Sequence, residues 1–164
     1  KFPYILYNSY ILRNLETNFP MYDILTKREH NFMQKVIDSA KNSNDFKAKI
    51  AAAVVYKNKI ISLECNEKKT HTFQHKFSKN EHAIYFHAET SAIHSALKIL
   101  GAEKMKKAKL FVARVSPVKS KRDRLLGHTL AECRPCEGCS ECISFYGIKK
   151  VFYTSNDSIS AFSH

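Results

Sequence analysis

Two short motifs restrict this chain more than anything else in its 164 residues. One is His87-Ala88-Glu89; the other, far downstream, is Pro135-Cys136-Glu137-Gly138-Cys139. An imidazole and two thiolates are donors that zinc prefers, in a tetrahedral set whose fourth place stays open for water when the site is catalytic. A fold that uses both motifs must bring the starts of two distant segments together around one ion. His87, Cys136 and Cys139 are therefore the candidate metal ligands. Glu89, two places past the histidine, is the candidate catalytic proton carrier, because a carboxylate can accept and donate a proton within one turnover. Each half also has a plainer reading. His-x-Glu arises by chance, and an isolated Cys-x-x-Cys serves structural zinc sites and redox pairs as well. It is the pair, each member opening an expected helix with a strand between them, that carries the zinc assignment.

Four of the five cysteines are packed as Cys133, Cys136, Cys139 and Cys142. The odd count and the close spacing favour metal over a disulfide framework, and with it a reducing, cytoplasmic compartment. They also offer a rival, a structural zinc held by four thiolates. Steps of three residues on a helix each turn by about 300°, so only adjacent pairs share a face. Cys133 and Cys142 cannot both reach an ion held by Cys136 and Cys139 unless the N-terminal part is loop. They are expected to be core residues or supports for the ligands, and Cys65 a core thiol.

The periodicity around the motifs outlines one α/β domain over 26–164, preceded by an aromatic-rich extension over 1–25. Thr26-x-x-Glu29 reads as a capping box. Phe32, Met33, Val36, Ile37 and Ala40 follow at helical spacing, which predicts a helix over 27–41 and a break at 42–45. The continuous apolar run from Ile50 to Tyr56 predicts a strand buried on both faces, turning at 57–59 into a partner over 60–64. A long polar loop with His71, His75 and His82 is expected to about Tyr85. A second helix is expected from about His87, with Ala88, Ala92, Ile93, Ala96, Leu97 and Leu100 on one stripe and Gly101 as its stop. Strands follow at 110–115 and 148–153, separated by a polar, basic segment over 116–134 and a third helix behind Pro135. A short last element is expected at 159–162. Strands joined by helices should run parallel. A hydrophobic fraction of 44% excludes a disordered chain. No apolar run is long enough for a bilayer, and the N-terminus lacks a signal-peptide layout, so no membrane partner is expected.

His-x-Glu followed by Pro-Cys-x-x-Cys is the mark of zinc nucleobase deaminases. On these residues the chain resembles the cytidine/deoxycytidylate deaminase superfamily, over roughly residues 48–154. The resemblance implies a three-layer fold with a mixed central sheet of four to five strands and helices on both faces. It implies one Zn2+ as cofactor and hydrolytic release of ammonia from a nucleobase. Asn66-Glu67-Lys68-Lys69-Thr70-His71 looks like the family's second-strand end, where an asparagine contacts the substrate sugar, so Asn66 is expected to bind substrate, together with Ala88. His87 to Ile93 resembles the deoxycytidylate form, which usually has asparagine where Ser91 stands.

The substrate class divides on charge. The net charge is +12, from 27 basic and 15 acidic residues. Such a balance attracts phosphates, on a nucleotide or a polynucleotide. From Lys104 to Arg124 there are nine basic residues and one acid, but Phe111, in an expected buried strand, is the sole aromatic. A groove for single-stranded nucleic acid would pair the charge with exposed aromatic platforms. The expected function is therefore deamination of a cytosine mononucleotide, dCMP first, by a homo-oligomer. The alternatives are editing of tRNA or single-stranded DNA, and a zinc-stabilised binding module without catalysis, for which Glu89 would have no use.

Overall fold

Thr26 holds the chain extended and starts helix α1, Lys27–Lys41. The Thr26 hydroxyl accepts from the Glu29 N–H at 3.3 Å, and the Glu29 carboxylate accepts from the Thr26 N–H at 2.9 Å. The expected capping box is formed, and two N-terminal donors are satisfied reciprocally. The computed structural model describes residues 25–44, 48–79, 85–122, 124–156 and 158–163. The expected extension over 1–25 lies outside them except for Leu25, as do Asp45 in the expected break and His82 in the expected loop. Leu25 is buried with the α1 core.

Strands β1 (Lys49–Tyr56) and β2 (Lys59–Cys65) form an antiparallel hairpin. Lys57 and Asn58 both turn left-handed, with φ of 45° and 62°. This is the two-residue turn that matches strand twist; asparagine tolerates the conformation and lysine is strained in it. The chain continues through β3 (Glu67–Thr70), the single turn α2 (Thr72–His75), β4 (Tyr85–Phe86), α3 (Ala88–Leu100), the single turn α4 (Ala102–Met105), β5 (Lys109–Lys119), β6 (Leu125–Ala131), α5 (Glu137–Phe145), β7 (Lys150–Ser155) and β8 (Ser158–Ser163).

The main sheet runs β2-β1-β5-β7-β8, and β6 pairs with the far half of β5. β5 and β7 are parallel, joined through β6 and α5; the other pairs are antiparallel. The sheet is mixed, with helices on both faces, and among the described residues it has six strands where four to five were expected. The addition is β6. The polar, basic segment over 116–134 is thus largely the far half of a hairpin, and the loop expected to Tyr85 contains β3, α2 and β4 as well. Gly101 ends α3 with a φ of 72°, and α4 follows at once.

β5 shows how one strand serves two cores. Phe111, Ala113 and Val115 face α1 with Met33, Val36, Ile37 and Phe152. Leu110 and Val112 face the other way, with Ala88, Ala92, Ile93 and Ile143 of α3 and α5. Period-two alternation makes Arg114 the next residue on that second face.

Candidate active site

His87 is the N-cap of α3 and Cys136 the N-cap of α5. Both expected helices therefore begin at the motif, and the two beginnings meet. His87 Nδ1 lies 3.5 Å from Cys136 Sγ and 3.3 Å from Cys139 Sγ. All three ligand atoms fall within 4.8 Å of one another. A tetrahedral ion with Zn–S of about 2.3 Å and Zn–N of about 2.0 Å separates its nitrogen and sulfur ligands by about 3.5 Å, so the donor set fits zinc. Among the described residues this is the one cluster of such donors, and Cys133 and Cys142 are not in it. The four-thiolate rival fails on that geometry.

The protonation pattern agrees with a metal site. The Cys136 thiol is pulled down to about 4, chiefly by the hydrogen bond from Cys139, with His87 adding to it. Cys139 is pushed up by that same shared proton and by burial. A cation arriving at the pair would displace the remaining proton, as zinc does when thiols bind it. Burial pushes Cys142 up to about 12 and raises Cys133 further, so both stay neutral thiols. His87 is raised by its hydrogen bond with Cys136, against burial, and by the charge of Glu89. Glu89 sits in the first turn of α3, 5% exposed, and burial raises its pKa. A carboxyl held toward its protonated form beside a metal site can act as acid as well as base.

Local packing fixes the ligand loop. Gln74 on α2 is buried, and its Oε1 accepts from the His87 N–H at 3.3 Å and from the Thr90 hydroxyl. The peptide N–H that begins the zinc motif is thereby satisfied from another segment. A Cβ on Gly138 would collide with the Phe77 carbonyl, so the glycine between the two cysteines lets α5 lie against the α2 segment. Lys79 pairs with Glu141 at 3.0 Å across the same contact. Ser62 of β2 donates to the Ala92 carbonyl at 2.7 Å, tying α3 to the sheet.

A cleft of about 530 Å³ opens on this centre. Its walls include His87, Glu89 and Cys136, and also Asn66 and Ala88. Asn66 Oδ1 accepts from the Ile50 N–H at 3.1 Å, which fixes the amide at the wall. All the residues singled out in the sequence thus meet at one place, with Cys139 buried behind the cleft. Two contributors were not foreseen. Gln74 lies in a stretch without periodicity and gave no signal. Arg114 also lines the cleft, and its signal was present: a lone arginine within an apolar strand, on the face that alternation turns toward α3.

The model of the cytidine and deoxycytidylate deaminase zinc-binding region matches residues 26–155. No curated protein matches the chain. Among solved structures, guanine deaminase from Bacillus subtilis superposes with a TM-score of 0.51 at 20% identity, over 80% of this chain and 65% of that one. The chain therefore spans slightly less than two thirds of that protein. A dCMP deaminase from the cyanophage S-TIM5 gives a TM-score of 0.46 at 25% identity, over 76% of this chain and 79% of that one. A tRNA deaminase that performs A-to-I editing at the wobble position gives 0.46 at 21% identity, over 76% and 74%. None of the described helices is long and apolar enough to cross a membrane. With the family's region matched over residues 26–155 of the chain and the zinc donors assembled at the starts of two helices, this chain belongs to the cytidine and deoxycytidylate deaminase family, and zinc is its cofactor.

Proposed function

We propose that this protein converts a cytosine mononucleotide, dCMP first, to the uracil nucleotide with release of ammonia. The observation that carries this reading is the buried Glu89 beside the His87, Cys136 and Cys139 cluster at the wall of a nucleotide-sized cleft. Bound zinc supplies a water of lowered pKa at its open position. Glu89 accepts a proton from the attacking water and passes it to ring nitrogen N3, then takes the remaining hydroxyl proton at C4 and delivers it to the departing amine as the carbonyl forms. The balance is one water consumed, the C4–N bond broken, a C4 carbonyl formed and one ammonia released. Ala88, at the start of α3, gives the base a wall without side-chain bulk. Asn66, held by Ile50, contacts the sugar.

One observation favours polynucleotide editing instead. The β5–β6 hairpin carries exposed Lys121, Arg122 and Arg124 beside exposed Leu125 and Leu126. A charge run is more often a solvated face, and the hairpin offers no exposed aromatic platform for bases. Ammonia release from cytidine, dCMP, dCTP, adenosine and guanosine nucleotides and a short single strand tests the two together. The mononucleotide reading predicts dCMP as the best substrate, with KM changing shallowly with salt. Turnover of the strand alone, with affinity falling by roughly 0.7 log units per log unit of salt for each phosphate contacted, would replace it with editing.

A further inference from the structure

We propose that the Arg114 guanidinium is the anchor for the phosphate of a nucleoside monophosphate in this cleft. The inference rests on the mononucleotide reading above and adds the group that distinguishes a nucleotide from its nucleoside. Arg114 stands opposite Ile50 of β1 and Ala131 of β6. Its own N–H donates to Thr154 Oγ1 at 2.9 Å, and that hydroxyl donates to the Ala131 carbonyl at 2.8 Å. The backbone is thus pinned where β6 and β7 both approach β5. From this rigid point the side chain lines the cleft that also holds His87 and Glu89.

The side chain is partly buried, and its Nε is buried without a hydrogen-bond partner. Buried polar groups are nearly always paired, yet among the described residues no acceptor meets this Nε, so the guanidinium that lines the cleft is not held by hydrogen bonds from the protein. Among the described residues no carboxylate forms an ion pair with it. The acids in the same cleft are otherwise placed. Glu67 lies 3.6 Å from Lys69, Glu132 is exposed at the rim, and Glu89 belongs to the chemistry. Among the described residues two other side chains carry a buried, unpartnered nitrogen, His30 and His128, and neither lines this cleft. A guanidinium presents a planar fork of donors that matches phosphate oxygens.

The test compares ligand pairs that differ only by phosphate. Zinc-loaded protein is titrated calorimetrically with dUMP and with deoxyuridine, and KM and kcat are measured for dCMP and deoxycytidine. The parent is expected to favour dUMP by roughly 10–100-fold, the range of a charge-assisted hydrogen bond. Arg114→Gln should lose most of that advantage, Arg114→Lys should keep part of it, and the KM for dCMP should rise more than kcat falls. Equal weakening of nucleotide and nucleoside in Arg114→Gln would mark a structural role and overturn the proposal. So would a parent with no preference for the phosphate, or a variant that keeps all of it. If no cytosine compound is turned over, the mononucleotide reading fails by itself. The pairs AMP with adenosine and GMP with guanosine then decide on Arg114 by the same loss or retention of the phosphate advantage.

Discussion

The two faces of the central sheet are built by the same alternation and do opposite things. On the α1 face, Met33, Val36, Ile37, Phe111, Ala113 and Phe152 close an apolar core. The charge buried there, Glu29, serves the helix cap and pairs with Lys109 at 2.7 Å. On the α3 and α5 face, Gln74, Glu89, Thr90 and Ser91 are buried among the apolar residues, beside Cys139. Burying polar groups costs stability unless each is satisfied, so such a concentration on one face is where function is expected. One face holds the sheet together, and the other holds a metal site in position.

That division predicts which substitutions damage chemistry and which damage the fold. The largest effect belongs to the ligands. Cys139→Ser should lose most of the zinc and the activity, whereas Cys142→Ser, one helical turn on but outside the donor cluster, should retain both. Metal analysis of the two purified variants separates them, and zinc loss in Cys142→Ser would revive the four-thiolate arrangement.

Next comes the apolar face. Phe111 is fully buried, stacked 4.8 Å from Phe152 and edge-on to Phe32. Phe111→Ala should cost about 3–5 kcal/mol of stability, read from urea unfolding, while zinc content per folded chain stays unchanged. A variant that lost zinc while still folded would mean that the two faces are coupled.

Gln74 probes the junction between ligand positioning and stability. Gln74→Ala leaves the His87 N–H without its acceptor, at a cost of about 1–3 kcal/mol. Because that N–H begins the ligand segment, turnover should fall more than in a variant of equal stability on the α1 face. Equal losses in both would reduce Gln74 to ordinary packing.

The smallest effect concerns pH. Burial raises the Glu29 carboxyl, but hydrogen bonds from Lys109 and Thr26 and the Lys109 charge outweigh it, so its pKa is below the ordinary 4.5. A depressed carboxyl contributes stability that is full above the unfolded value and is lost as pH falls through the folded one. The stability difference between the parent and Glu29→Gln should therefore be constant near neutrality and shrink as pH drops below 4.5. It should be about 1 kcal/mol or less, because Lys109 is partly exposed. A difference that grows on acidification would contradict the ion pair.

Much of this was legible in the chain because periodicity and punctuation agree. The α1 boundaries follow from Thr26, Glu29 and the stripe ending at Ala40, and the β5–β7 pair is parallel as expected, although the unforeseen β6 as well as α5 lies between them. The zinc donors were legible because a cap histidine and a cap cysteine must both stand at helix starts. The β5–β6 hairpin was not. Leu125 to Ala131 has one buried residue, Leu130, so no alternation announces a strand. The Gln74 turn and the two-residue β4 are too short to carry any period, and their order comes from contacts with α3. The Lys57-Asn58 turn stands where it was expected, although it takes its left-handed angles without the glycine that usually announces them.

The central claim is that Glu89 moves protons for a zinc-dependent deamination at this face. Glu89→Gln tests it most directly, since glutamine keeps the size and cannot cycle a proton. Zinc and ammonia release are to be measured on the same preparation, with the best substrate of the nucleotide panel. The expected result is zinc retained at the parent level and turnover lower by at least ~10²–10⁴-fold. Intact zinc with turnover within about tenfold of the parent, well short of a general acid–base effect, would contradict the account.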